Sequence, residues 1–108
     1  MNVKRKLRSR ITTDGLDRVP HRAFMRAMGI DDEAMAKPFV GVVTTAGEMT
    51  PCNMNLASQS LAAKRGILAG GGTPREFTTI TVSDGISMNH EGMKFSLVSR
   101  ELIADSVE

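Results

Sequence analysis

The residues best equipped for chemistry lie in two polar stretches, one around Cys52 and one running from Asp84 to Glu91. Cys52 is the single cysteine of the chain and sits in T-P-C-N. A thiolate there could ligate a metal or act as a nucleophile, whereas a lone cysteine is most often a small buried hydrophobe. Both readings stay open at this point. Asp84 opens the second stretch, D-G-I-S-M-N-H-E, which also holds Asn89, His90 and Glu91. A carboxylate in a loop suits a hard cation such as Mg²⁺, which takes one or two carboxylates and keeps several waters. Asp-Gly is equally an ordinary turn that needs no metal. His90 and Glu91 are adjacent and so point apart, as surface residues do.

Two strands and a helix must position these residues. F-V-G-V-V (39–43) is short and nearly all apolar, the pattern of a strand buried on both faces. F-T-T-I-T-V (77–82) alternates with period 2 and predicts a second strand, stopped by S-D-G, where Gly85 permits a positive φ. Residues 56–69 predict a helix, with Leu56, Ser60, Ala63 and Ile67 in one row and Ala57, Leu61 and Leu68 in its neighbour. Lys64 interrupts the second row, so it must snorkel outward or meet an anion. Glycines 70–72 follow the helix and precede the strand, the reverse of a phosphate loop, and read as a cap and turn.

Strand, helix, strand makes a βαβ unit with parallel strands and a right-handed crossover. Both strands then end on one edge of the sheet, where ligands bind in open α/β sheets. The topology thus brings the Cys52 loop and the Asp84 loop near each other. Upstream, residues 18–28 predict a helix with Asp17 as N-cap, Pro20 in the first turn and Gly29 as terminator. Residues 31–35 add a short turn. Past Gly92, Leu97, Val98, Leu102, Ile103 and Val107 form an apolar stripe interrupted by Arg100, Glu101 and Asp105. No Gly, Asn or Pro closes that helix before Glu108, and two strands with three helices make a thin core, so the chain reads as cut.

With 108 residues, 41% hydrophobic and 24% charged, the chain suits one modest soluble domain. No apolar run approaches the roughly 20 residues that cross a bilayer, so no membrane partner is expected. Net charge is +2, yet Lys4, Arg5, Lys6, Arg8 and Arg10 hold five of the fourteen basic residues. Residues 1–11 therefore read as a basic, flexible arm and 12–108 as an incomplete N-terminal α/β domain. Four Phe and no Trp or Tyr leave little to stack on bases, so no nucleic-acid partner is expected. No apolar segment follows the arm, so it is no secretory signal. Cytoplasm is the expected location, or an organelle if the arm belongs to a transit peptide. One cysteine excludes an internal disulfide and cannot by itself complete a multi-cysteine metal site.

The motifs T-P-C-N-M-N-L (50–56), A-K-R-G-I (63–67), G-G-T-P-R-E-F (71–77), T-I-T-V-S-D-G-I-S-M (79–88) and H-E-G-M-K-F-S-L-V-S-R-E-L-I-A-D-S-V-E (90–108) resemble the dihydroxy-acid dehydratases. Their family also includes phosphogluconate and sugar-acid dehydratases. T-T-D-G-L-D-R-V-P-H-R-A-F-M-R-A-M-G-I (12–30) is similar too. The resemblance implies the first part of an α/β domain, with a C-terminal β-barrel-like domain beyond it in full-length relatives, which form homodimers or larger homo-oligomers. It implies a hydro-lyase that turns 2,3-dihydroxy-3-methyl carboxylates into 2-oxo acids in valine, isoleucine and leucine biosynthesis. The alternatives are a sugar-acid dehydratase of the same superfamily and a truncated, non-catalytic binding module.

The resemblance further implies Cys52 as one of three cysteine ligands of a [2Fe–2S] cluster and Asp84 as a ligand of Mg²⁺. The other ligands, a carbamylated lysine among them, and the serine taken as base would lie beyond Glu108. No catalytic residue is expected within the chain, and the isolated 108 residues are expected to be inactive. Asn89 departs from what the resemblance implies, a Gly at this position in most relatives; Asn tolerates the left-handed region better than other non-glycine residues. The Asp of V-S-D-G favours dihydroxy-acid over sugar-acid relatives.

Overall fold

The computed structural model describes residues 6–108, so Lys4 and Arg5 of the basic arm lie outside the described residues. In chain order the elements are α1 (Arg10–Thr13), α2 (Val19–Ala27), α3 (Asp32–Met35), β1 (Phe39–Thr44), α4 (Pro51–Met54), α5 (Leu56–Ala69), β2 (Thr73–Thr78), α6 (Asp84–Ser87) and α7 (Ser96–Val107). Two 3₁₀ turns, Leu16–Arg18 and Glu91–Phe95, complete them. The architecture is α/β, with a two-stranded parallel sheet at its centre. The register runs from Phe39 opposite Thr73, through Val42 opposite Glu76, to Thr44 opposite Thr78.

α5 lies against both strands. Ser60 is buried on that side, and its hydroxyl donates to Glu76 Oε1 at 2.7 Å. Lys64, one turn on, meets the other carboxylate oxygen of Glu76. The anion expected for Lys64 is therefore a strand residue, and the pair ties helix to sheet. Lys64 holds the Glu76 carboxyl below the ordinary carboxylate range, with the Ser60 hydroxyl adding to the effect.

The end of α5 shows why three glycines follow it. Gly71 adopts φ +84°, Gly71 N–H donates to Leu68 O at 3.1 Å, and Gly72 N–H donates to Ile67 O at 2.9 Å. This is a Schellman closure, with glycine at the left-handed position. Gly72 is also a close approach: a Cβ there would lie 2.9 Å from Ile67 Cγ2 and 3.2 Å from Val40 Cγ2. The chain then enters β2 with Thr73 N–H donating to Pro38 O at 2.8 Å and its hydroxyl donating to Ala34 O at 2.7 Å.

The second strand begins and ends earlier than the alternation in residues 77–82 predicts. β2 stops at Thr78, and residues 79–83 carry no regular assignment. Extended, β-branched residues become a strand only where a partner supplies hydrogen bonds, and β1 ends at Thr44. Two smaller differences lie upstream. Asp17 falls inside a 3₁₀ turn, so α2 starts at Val19 after Arg18 without a side-chain cap. Arg10 and Ile11, placed in the arm, belong to a helical turn in which Arg10 meets Asp14 at 2.9 Å.

The expected thin core is present. Among the described residues the buried apolar side chains are Ile30, Met35 and Val42, while Leu61, Leu68, Leu97, Val98 and Leu102 are exposed. The radius of gyration is 18.1 Å, against about 13 Å for a compact chain of this size. No helix of the described residues is long and apolar enough to cross a membrane.

Candidate functional site

Beyond the ends of β1 and β2 lies a cleft of about 380 Å³. Cys52, Asn53 and Thr50 line one side, Asp84 and Val82 another, and Ser96, Arg100 and Ile103 of α7 a third. The two loops that the βαβ topology sends to one sheet edge thus meet in one space. Cys52 is exposed with a free thiol, so the buried-hydrophobe reading does not describe it.

The polar stretch around Cys52 is not a plain loop: it contains α4. Thr50 is extended at φ −144°, ψ 155°, and Pro51 takes the first helical position, where its missing N–H costs nothing. Thr50 and Asn53 are buried at 5% and 6% exposure, and the Thr50 hydroxyl donates to Asn53 Oδ1. Asn53 Nδ2 in turn donates to Thr45 O at 2.9 Å and to Thr45 Oγ1 at 2.6 Å. The residue that follows the cysteine is therefore anchored to the end of β1.

Asp84 begins α6 rather than a simple turn. Its Oδ1 accepts the hydroxyl of Ser96, which is 3% exposed, and its Oδ2 lies 3.6 Å from the Arg100 guanidinium. An ion pair this exposed contributes little to stability. Its effect is on direction: the carboxylate is held from α7 on both oxygens.

The remaining polar residues of this stretch are turned elsewhere. Gly92 N–H donates to His90 Nδ1 at 3.0 Å, so Nε2 carries the ring proton and donates to Ile86 O at 2.7 Å. Glu91 pairs with Lys94 at 2.6 Å. Neither side chain lines the cleft. Among residues 84–92 the positive φ belongs to Asn89, at 63°, and not to Gly85. Asn89 thus occupies the left-handed region, which glycine adopts without strain and asparagine tolerates better than other residues.

Ser96, Arg100, Thr50 and Asn53 were not singled out by sequence reasoning. One signal existed for two of them: Ser96 and Arg100 are one helical turn apart, and Arg100 is the basic one of the three charged residues that interrupt the apolar stripe.

A family profile described as "Dihydroxy-acid/6-phosphogluconate dehydratase N-terminal" matches residues 37–108. The chain is 75% identical over 107 residues to dihydroxy-acid dehydratase 3 of Bradyrhizobium diazoefficiens, covering 99% of this chain and 18% of that protein. It is 61% identical over 105 residues to the dihydroxy-acid dehydratase of Pelagibacter ubique, covering 97% and 18%. Against the dihydroxy-acid dehydratase of Mycobacterium tuberculosis the identity is 58% over 103 residues, covering 95% and 18%. The chain spans about a fifth of the length of these curated relatives.

Proposed function

Because this chain belongs to the dihydroxy-acid/6-phosphogluconate dehydratase family, whose N-terminal sequence it carries, we propose that it is the N-terminal portion of a dihydroxy-acid dehydratase. The observation that carries this reading is 75% identity, over 99% of the chain, to a protein of that name. In this reading the full-length protein is a hydro-lyase. It removes the C2 proton and C3 hydroxyl of a 2,3-dihydroxy-3-methyl carboxylate as water and yields the 2-oxo acid, serving valine, isoleucine and leucine synthesis. It works in the cytoplasm as a homodimer or larger homo-oligomer.

Cys52 and Asp84 fit the [2Fe–2S] cluster and Mg²⁺ of this reading as one donor each. The thiol is free and exposed, and the Asp84 side chain is 41% exposed on the same cleft. Among the described residues no three His, Cys, Asp or Glu side chains gather; in this reading the remaining donors come from the rest of the full-length protein. When bound, a cluster with an open iron position supplies Lewis acidity to the departing hydroxyl, and Mg²⁺ polarises the carboxylate and C2 oxygen. Cys52 then serves the leaving-group side and Asp84 the carboxylate side. The Ser96 hydroxyl keeps the Asp84 carboxylate directed, while Arg100 faces its other oxygen as a competing cation. The 108-residue segment alone is inactive in this reading, since one cysteine cannot hold a cluster.

The test is turnover by the full-length protein, purified without oxygen, of 2,3-dihydroxyisovalerate and of an aldonic acid. Turnover of the first, with iron and sulfide in the protein, is expected. Turnover of the aldonic acid alone replaces the reading with a sugar-acid dehydratase. A stable protein that turns over neither and holds no iron leaves a binding module.

A further inference from the structure

Cys52 and Asp84 sit on separate loops, and neither loop is part of the strand ladder. α4 is four residues long, too short to hold its own helical form. Residues 79–83 run past the end of the strand ladder. The last backbone bond between the strands' extensions is Thr79 N–H to Thr44 O, at 3.0 Å. Beyond it the two loops are tied at one atom. Thr45 O accepts Asn53 Nδ2 at 2.9 Å and the Thr81 hydroxyl at 3.1 Å. A carbonyl oxygen has two lone pairs, and here one serves each loop. Asn53 follows Cys52 directly, and Thr81 lies three residues before Asp84.

We propose that the Thr45 carbonyl is a junction that sets the position of Cys52 relative to Asp84, with Asn53 and Thr81 as its positioning residues. The proposal rests on the dehydratase reading, in which the two ligands must address neighbouring atoms of one substrate. A loop freed at this junction shifts its own ligand and loosens the partner loop. The coupling therefore crosses between the two metal sites, which simple loss of fold stability does not require.

The test uses the full-length protein with Thr81→Val, which keeps the side-chain shape and loses the donor, and Thr81→Ser, which keeps the donor. Asn53→Ala probes the other loop. Visible circular dichroism and electron paramagnetic resonance of the cluster report on Cys52, and Mg²⁺ competition against Mn²⁺ reports on Asp84. Thr81→Val is expected to weaken Mg²⁺ binding roughly 10-fold and also to shift the cluster signature, while Thr81→Ser restores both. Asn53→Ala is expected to do the same from the opposite side; if it does not fold, the Thr81 pair decides alone. A cluster-bearing wild type whose Thr81→Val form keeps both signatures overturns the proposal and leaves the dehydratase reading standing. A wild type that binds neither cluster nor Mg²⁺ overturns the reading, and the proposal with it.

Discussion

The Ser60 hydroxyl donates to Glu76 Oε1 at 2.7 Å, joining the first half of α5 to the fourth residue of β2. Lys64 meets the other oxygen of the same carboxylate, so the helix grips the strand through one anion. The strands carry the two loops of the cleft, and this grip keeps their connecting helix in place.

Its pH dependence has a definite sign. Lys64, and then Ser60, lower the Glu76 pKa in the folded protein. The stabilisation is therefore complete above the ordinary glutamate value and is lost as pH falls through the lowered one. Melting temperatures of wild-type and Glu76→Gln full-length protein are expected to differ near neutral pH and to converge in acid. A constant gap down to the acid limit contradicts this account.

Two neighbouring glycines are expected to fail for different reasons. Gly72→Ala drives a methyl against Ile67 and Val40, an overpacking cost of about 1–3 kcal/mol. Gly71→Ala meets open space but must hold φ +84°, at a cost of about 1–2 kcal/mol. Gly72→Ala is rescued by trimming Ile67 to Ala, which removes the Cγ2 methyl in the way, and Gly71→Ala is not. Denaturant unfolding of the double variants separates the two.

Asp84 is held by Ser96 and faced by Arg100, and the two are expected to act oppositely on a bound cation. Ser96→Ala removes an orienting donor and should weaken Mg²⁺ binding by roughly 10-fold or more. Arg100→Gln removes a competing positive charge and should strengthen it, most clearly at low ionic strength. Calorimetric Mg²⁺ titration of the full-length protein at two salt concentrations checks both signs.

Asn89 stands at φ 63°. Replacement by Gly should leave stability unchanged or slightly higher, whereas Asn89→Val should cost about 1–2 kcal/mol. Thermal unfolding distinguishes them, and equal melting temperatures count against a left-handed residue here.

Much of this arrangement was legible in the residues. The apolar run at 39–43 and the helical rows of 56–69 indicate the βαβ unit, and its topology brings Cys52 and Asp84 to one edge. The need of Lys64 for an anion was visible, but its partner depended on a register in which Glu76 stands opposite Val42. The bounds of β2 were hidden because residues 79–82 prefer extended backbone whether or not a ladder partner exists. Ser96 and Arg100 escaped because their role depends on how α7 packs, which helical spacing alone does not specify. The Asn53 anchor required the fold of a loop whose sequence predicts no helix.

The short sheet has two outer sides, and they are chemically unequal. Thr73 and Thr79 turn their N–H groups toward β1, so the alternation of a strand turns positions 74, 76 and 78 outward. Position 74 is Pro74, which has no N–H to give. A strand laid along the free side of β2 finds a missing donor near its start, the device by which proline guards an open edge from runaway pairing. β1 contains no proline between Phe39 and Thr44. The free side of β2 is thus the poorer template for a further strand, and a proline placed at an outward position of β1 would make the other side equally poor.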